Sequence, residues 1–243
     1  MTTASMLHPR GVLTVAGACF VALTAAVVVL GALPADTAVR DALLALATPW
    51  VVAAMRVVNR AGDWRVLVPG TLLLFVVFRR ARERWWLWVA VMAIAPLLEW
   101  VLKHLVGRTR PEAVSLSFPS GHSTASAAFF GSVMFLAGSL PRRACAWVRA
   151  LAVVMIVLVG MARVILRAHW PSDVLAGIAL GLALAAAAGL VAGRFRGGPR
   201  DGPPHPPDAR STPALPWRCS MSRLRGARDA PHTPDARSVR GNL

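Results

Sequence analysis

Charge is scarce in this chain, and acidic charge scarcest of all: 16% of its 243 residues are charged, with 11 aspartates and glutamates against 27 lysines and arginines. A soluble domain of this length carries roughly 25% charged residues, so a water-facing globule is excluded. The 56% hydrophobic content points to a bilayer instead. Lysine is nearly absent: Lys103 stands alone among arginines. A formal net charge of +16 raises the question of a nucleic-acid partner. The arginines, however, fall between long apolar runs, not in a stripe with interleaved aromatics, and this argues against one. Cysteine is rare too. Cys19, Cys145 and Cys219 lie far apart and fit no metal or redox spacing, so no disulfide framework is implied.

What is abundant is apolar sequence. A transmembrane helix needs about 20 mostly apolar residues, and six runs qualify: 11–33, 61–78, 85–106, 122–140, 147–166 and 174–192. The first follows Arg10 as a signal peptide would, but it is long for one and lacks an A-x-A cleavage site, so it is kept as a span. The second is the weakest, with Asp63 and Arg65 at its edge. Between these two, 42–55 is uncharged, only fourteen residues long and centred on Pro49. Runs of about 10–14 residues lie at an interface or re-enter more often than they span, so a helix on the membrane surface or packed on the bundle is expected there. Trp64, Trp85, Trp86, Trp147 and Trp170 fall at or near run ends, where amphipathic rings favour the headgroup region. From about Gly193 the composition changes: 194–243 holds nine prolines and ten arginines, and such a segment cannot bury enough surface to order itself. The expectation is an all-α polytopic membrane protein. A six-helix transmembrane domain over 1–193 is followed by a disordered cytoplasmic tail over 194–243.

Six spans put both termini on one side. The N-terminus, 79–84, 141–149 and the tail carry 18 cations against 9 on the other side. The positive-inside rule then makes both termini cytoplasmic.

Polar residues gather in three places: Lys103 to Arg110-Pro111, then Pro119-Ser120-Gly121-His122, then Arg163 with His169 and Asp173. The first two share the loop between the third and fourth spans, and the last lies between the fifth and sixth. Two crossings separate these loops, so they emerge on the same, extracytoplasmic face. Arginine forks match phosphate oxygens bidentately, and a helix N-terminus offers free N–H groups and a positive dipole end. Ser120 suits an N-cap and Gly121 a close backbone approach. His169 and Asp173 are four apart, which allows the carboxylate to fix the tautomer of the ring and leave its other nitrogen as a nucleophile. His122 is then placed to protonate a leaving alkoxide. Glu99, four residues before Lys103, reads as its helical partner. Each residue taken singly also has a bland reading, such as Lys103 and Arg163 snorkelling at span ends. His104 and Arg108 read as interface residues without a distinct role. The acids nearby, Glu99, Glu112 and Asp173, are too few and badly spaced for a two-metal site, so neither metal nor cofactor is expected.

The three stretches, in this order, resemble the type 2 phosphatidic acid phosphatase superfamily, whose pattern is K-x6-R-P, P-S-G-H and S-R-x5-H-x3-D. The likeness runs over roughly residues 60–192 and departs at one point, where Ala162 stands in place of the motif's serine. It implies a phosphohistidine on His169, proton donation by His122 and orientation of His169 by Asp173. It also implies phosphate binding by Lys103, Arg110, Ser120, Gly121 and Arg163. The substrate expected is a lipid phosphate or diphosphate: a polyprenyl diphosphate, phosphatidic acid or phosphatidylglycerol phosphate. A lipid phosphotransferase shares the first half-reaction. A non-catalytic lipid-binding protein is disfavoured by the intact motifs, and the related soluble haloperoxidases by the six spans. The sequence leaves the oligomeric state open.

Overall fold

The computed structural model describes residues 8–194. The tail expected to be disordered lies, from 195 on, outside the described residues. The described chain is almost entirely helical: α1 Pro9–Leu30, α2 Pro34–Leu44, α3 Pro49–Asn59, α4 Trp64–Val77, α5 Arg79–Glu83, α6 Trp85–Val106, α7 Gly121–Leu136, α8 Arg142–Ile165 and α9 Pro171–Arg194. Four of them, α1, α6, α8 and α9, are long and apolar enough to cross a membrane. The shorter α4 and α7 have 14 and 16 residues, about 21 and 24 Å of helix against a hydrocarbon core of about 30 Å.

The run 42–55 is not one helix, which corrects the sequence reading. It breaks after Leu44, and α3 starts afresh at Pro49. Proline disfavours helical backbone in the residue before it, and Thr48 is extended, with ψ 159°. The helix before the break and the helical stretch Pro49–Gly62 after it bend by 115° and together pass as one broken span or a re-entrant loop. The arginine-dense stretch 79–84, read as a loop, contains α5. Its Arg82 Nη1 donates to the carbonyls of Phe75 and Val76 at 2.9 and 2.8 Å, serving the carbonyls that the end of α4 leaves open.

The other departure from an all-α chain is a small antiparallel hairpin, β1 Thr109–Arg110 with β2 Ala113–Leu116, in register Thr109↔Leu116 and Arg110↔Ala113. Gly107 closes α6 in the left-handed conformation, φ 67°, its N–H bonded to the Lys103 carbonyl at 2.9 Å. Pro111 and Glu112 then form the tip, where proline presets the φ of a tight turn.

The centre of the bundle is the α7–α9 pair, with α1 laid along α9, α8 and α6 along α7, and α3 along α8. Small residues let α7 and α9 approach closely, as membrane helices do without a hydrophobic driving force between them. A Cβ at Gly177 would stand 2.6 Å from the Ser120 carbonyl oxygen, and one at Gly181 would collide with that of Thr124. Phe118 is fully buried against Val27 and Ala176, anchoring the segment that enters α7. The starts of α7 and α9 are thereby held side by side.

Candidate active site

His169 precedes α9, and the local geometry is that of a helix start. Pro171 occupies the first helical position, where its missing N–H costs nothing. Asp173 reaches back so that Oδ2 accepts the Trp170 N–H at 3.0 Å, as in a capping box. The His169–Asp173 spacing therefore reflects a cap, not two residues on one helix face. His169 Nδ1 lies 3.7 Å from Asp173 Oδ2, too far for a direct hydrogen bond. Ser117 Oγ sits between them, 3.4 Å from Nδ1 and donating to Asp173 Oδ2. His169 is 1% exposed. Burial pushes its imidazole down to about 4, with Arg163 adding to the effect and Asp173 opposing it. The ring is neutral at pH 7.

Ser120 occupies the N-cap position of α7, but its hydroxyl caps nothing; it accepts from Ser123 Oγ at 3.0 Å. Its N–H is committed to the Asp173 carbonyl at 3.0 Å, tying the two helix starts together. The N–H groups of Gly121, His122 and Ser123 open the helix and have no intrahelical acceptor. Glu99 packs so tightly on Gly121 that a Cβ there would stand 2.8 Å from its Oε1. The same carboxylate pairs with Lys103. His122 packs against Gly62 at the α3–α4 corner. Arg163, Asp63, His169 and Lys103 all lie near enough to act on its charge.

Arg163 is 9% exposed. Its Nη1 donates to Asn59 Oδ1 at 2.9 Å, whereas its Nε is buried without a partner among the described residues. Its carbonyl accepts the His169 N–H at 3.2 Å, so this cation and the imidazole are fixed to each other through the backbone. Arg110 is held in the hairpin by a 3.3 Å bond from Nε to the Leu116 carbonyl and acts electrostatically on both Arg163 and His169. Ala162, at the variant motif position, is fully buried in α8.

Sequence reasoning passed over four residues: Ser117, Arg108, Ser172 and Asp36. Arg108, read as an interface residue, is buried and donates to Ser172 Oγ at 2.7 Å, to Asp173 Oδ1 at 2.8 Å and to Asp36 Oδ2 at 2.7 Å. One signal was available, since a carboxylate in a membrane chain with few acids is seldom idle, and Asp36 is such a residue. His104 does stay at the periphery, exposed and bonded to the Trp100 carbonyl at 2.8 Å.

Fold and polar centre together define a multi-pass helical membrane protein with a buried imidazole–carboxylate pair ringed by surplus positive charge. The family model described as PAP2 superfamily, the type 2 phosphatidic acid phosphatases, matches residues 84–196. Phosphatidylglycerophosphatase B of Bacillus subtilis is 33% identical over 172 residues, 66% of this chain and 85% of that protein. Decaprenylphosphoryl-5-phosphoribose phosphatase of Mycobacterium tuberculosis is 32% identical over 146 residues, 54% of this chain and 75% of that one. The crystal structure of a transmembrane PAP2-type phosphatidylglycerolphosphate phosphatase from Bacillus subtilis superposes with a TM-score of 0.61 at 29% identity, covering 79% of this chain and 96% of that one. The chain belongs to the PAP2 superfamily.

Proposed function

We propose that this chain is an integral-membrane lipid phosphatase that works through a phosphohistidine on His169. The observation carrying the reading is the buried His169, with Nδ1 turned to Ser117 and Asp173, its N–H bonded to the carbonyl of Arg163, and the Nε of Arg163 buried without a partner among the described residues. Phosphoryl transfer asks a protein mainly for positioning and for charge placed around the phosphoryl oxygens. Lys103, Arg110 and Arg163 supply that charge where other enzymes use a divalent ion. The N–H groups of Gly121 and its neighbours complete the cradle, and Ser120 braces it against Asp173. The Nε2 atom of His169 attacks phosphorus and the P–O bond to the lipid breaks, while His122 gives its proton to the departing alkoxide. Water then attacks the phosphohistidine, His122 takes the water's proton, and inorganic phosphate leaves with His169 restored.

The six-span reading counts α4 and α7 as crossings and the bent α2–α3 pair as re-entrant. Both termini are then cytoplasmic and the site opens on the extracytoplasmic face. The two relatives described above are named as phosphatases of phosphorylated lipids, and a lipid phosphate or diphosphate is the substrate class proposed here. Detergent-purified protein incubated with phosphatidylglycerol phosphate, phosphatidic acid and polyprenyl diphosphate should release inorganic phosphate from at least one. The release should survive EDTA and be lost in His169→Ala. Silence on the whole panel, or activity that EDTA removes and magnesium restores, would sink the reading.

A further inference from the structure

Arg108 makes no bond to any group assigned above to the phosphate, yet it is among the most committed side chains in the molecule. Its Nη1 bridges Ser172 Oγ and Asp173 Oδ1, its Nη2 takes Asp36 Oδ2, and its guanidinium lies over the Trp170 ring at 5.5 Å. Asp36, 2% exposed, completes the ring: Oδ1 accepts the Ser172 N–H at 2.8 Å and Oδ2 the Ser172 hydroxyl at 2.7 Å. Buried charges persist when each is paired and hydrogen-bonded, and here one guanidinium serves two buried carboxylates. The division of labour at Asp173 follows from this. Oδ1 is pinned from behind by Arg108, and so Oδ2 is aimed at Ser117, the Trp170 N–H and His169.

We infer that Arg108 and Asp36 form a positioning relay that orients Asp173, and through it the ring of His169, for phosphoryl transfer. The inference rests on the phosphohistidine reading. It gives the re-entrant α2 a task in the chemistry, because Asp36 sits in that helix's first turn. The groups facing the pair are Ser117 from the hairpin segment, Ser172 and Trp170 from the start of α9, and Arg163 and Arg110 beyond His169.

The test measures radiolabelled phosphate trapped on the full chain in detergent, per folded molecule, together with inhibition by inorganic phosphate and the ring-nitrogen NMR shifts of His169. Arg108→Met should slow phosphorylation of His169 by about 10–100-fold, the usual cost of losing a group that orients a ligating or reacting side chain. Inhibition by inorganic phosphate, which forms no bond to His169, should stay at the wild-type value, since Arg108 does not touch the phosphate, while Arg110→Met should weaken it. The His169 shifts should move from one tautomer toward a mixture, which loss of fold stability alone would not cause. Arg108→Lys should recover part of the rate. Asp36→Asn should slow phosphorylation alone and add nothing in the Arg108→Met background, as expected for residues acting in series. If Arg108→Met does not fold, the rate and tautomer of Asp36→Asn decide. Wild-type phosphorylation in either variant, additive losses, or weakened inhibition by inorganic phosphate in Arg108→Met overturns the relay. If wild-type protein traps no phosphate that His169→Ala lacks, the phosphohistidine reading itself has failed.

Discussion

Gly177→Ala tests whether the close fit of α7 on α9 sets the chemistry. The new methyl carbon would stand 2.6 Å from the Ser120 carbonyl oxygen, and 3.1 Å from both Ser123 Cβ and Thr124 Oγ1. Ordinary contact begins at 3.4 Å, and the obstructing atom is backbone, so one helix must give way by nearly 1 Å. The Ser120 carbonyl belongs to the same peptide unit as the Gly121 N–H, and the Ser120 N–H is bonded to Asp173. The displacement therefore falls on the cradle. Overpacking of this kind costs about 1–3 kcal/mol, well within the roughly 5–15 kcal/mol that holds a typical domain folded, so the variant should remain folded with a lowered melting temperature. A misplacement of ~1 Å costs on the order of 10²-fold in rate. Phosphate release per folded molecule should fall by about that factor. Gly17→Ala, where the added carbon meets nothing within 4 Å, should leave the rate alone and not lower the melting temperature, since alanine favours a helix interior. A Gly177→Ala protein with wild-type turnover would refute the argument that helix contact positions the site.

The two histidines should be separable by leaving group. General acid catalysis is worth about 10²–10⁴-fold, so His122→Ala should lose less with an activated aryl phosphate than with a lipid, whereas His169→Ala should be dead with both; equal losses would void the assignment of roles. His169 is held at about 4 by burial, and for a base this sign means that the neutral form persists as pH falls. Its ring-nitrogen NMR shifts should stay those of a neutral imidazole from pH 8 down to 5.5, and a midpoint at or above 6.5 would contradict the desolvated environment. Sidedness is open to single-cysteine labelling in a background without Cys19, Cys145 and Cys219. A cysteine at Val114, 94% exposed in the hairpin, should react in intact cells, and reaction only after permeabilisation would reverse the topology.

Where the sequence was legible, the reason was local. The run 85–106 coincides with α6 because tryptophan opens it, glycine closes it and nothing polar interrupts it before Glu99. Helix α8, by contrast, begins at Arg142, five residues before the apolar run, because hydropathy reports immersion in lipid and not backbone conformation. The break at Pro49 was visible as a proline but not as a bend of 115°. A hairpin with a two-residue first strand has no period to detect. Partnerships across the fold left no trace at all: Asp36 and Arg108 are 72 positions apart, and Arg163 and Asn59 are separated by 104. The motif residues stood out in the sequence as a group, by their order and combined chemistry, while each alone had a bland reading. The groups that hold them are fixed only by how the helices pack.

The burial of His169 has a consequence for the order of events. In-line displacement puts the attacking water on the face of the phosphorus that the lipid alkoxide has just left, because the opposite face is bonded to the ring of His169, itself only 1% exposed. In the proposed cycle the dephosphorylated lipid therefore departs before water enters, and the two products leave in a fixed sequence, alcohol first and phosphate last.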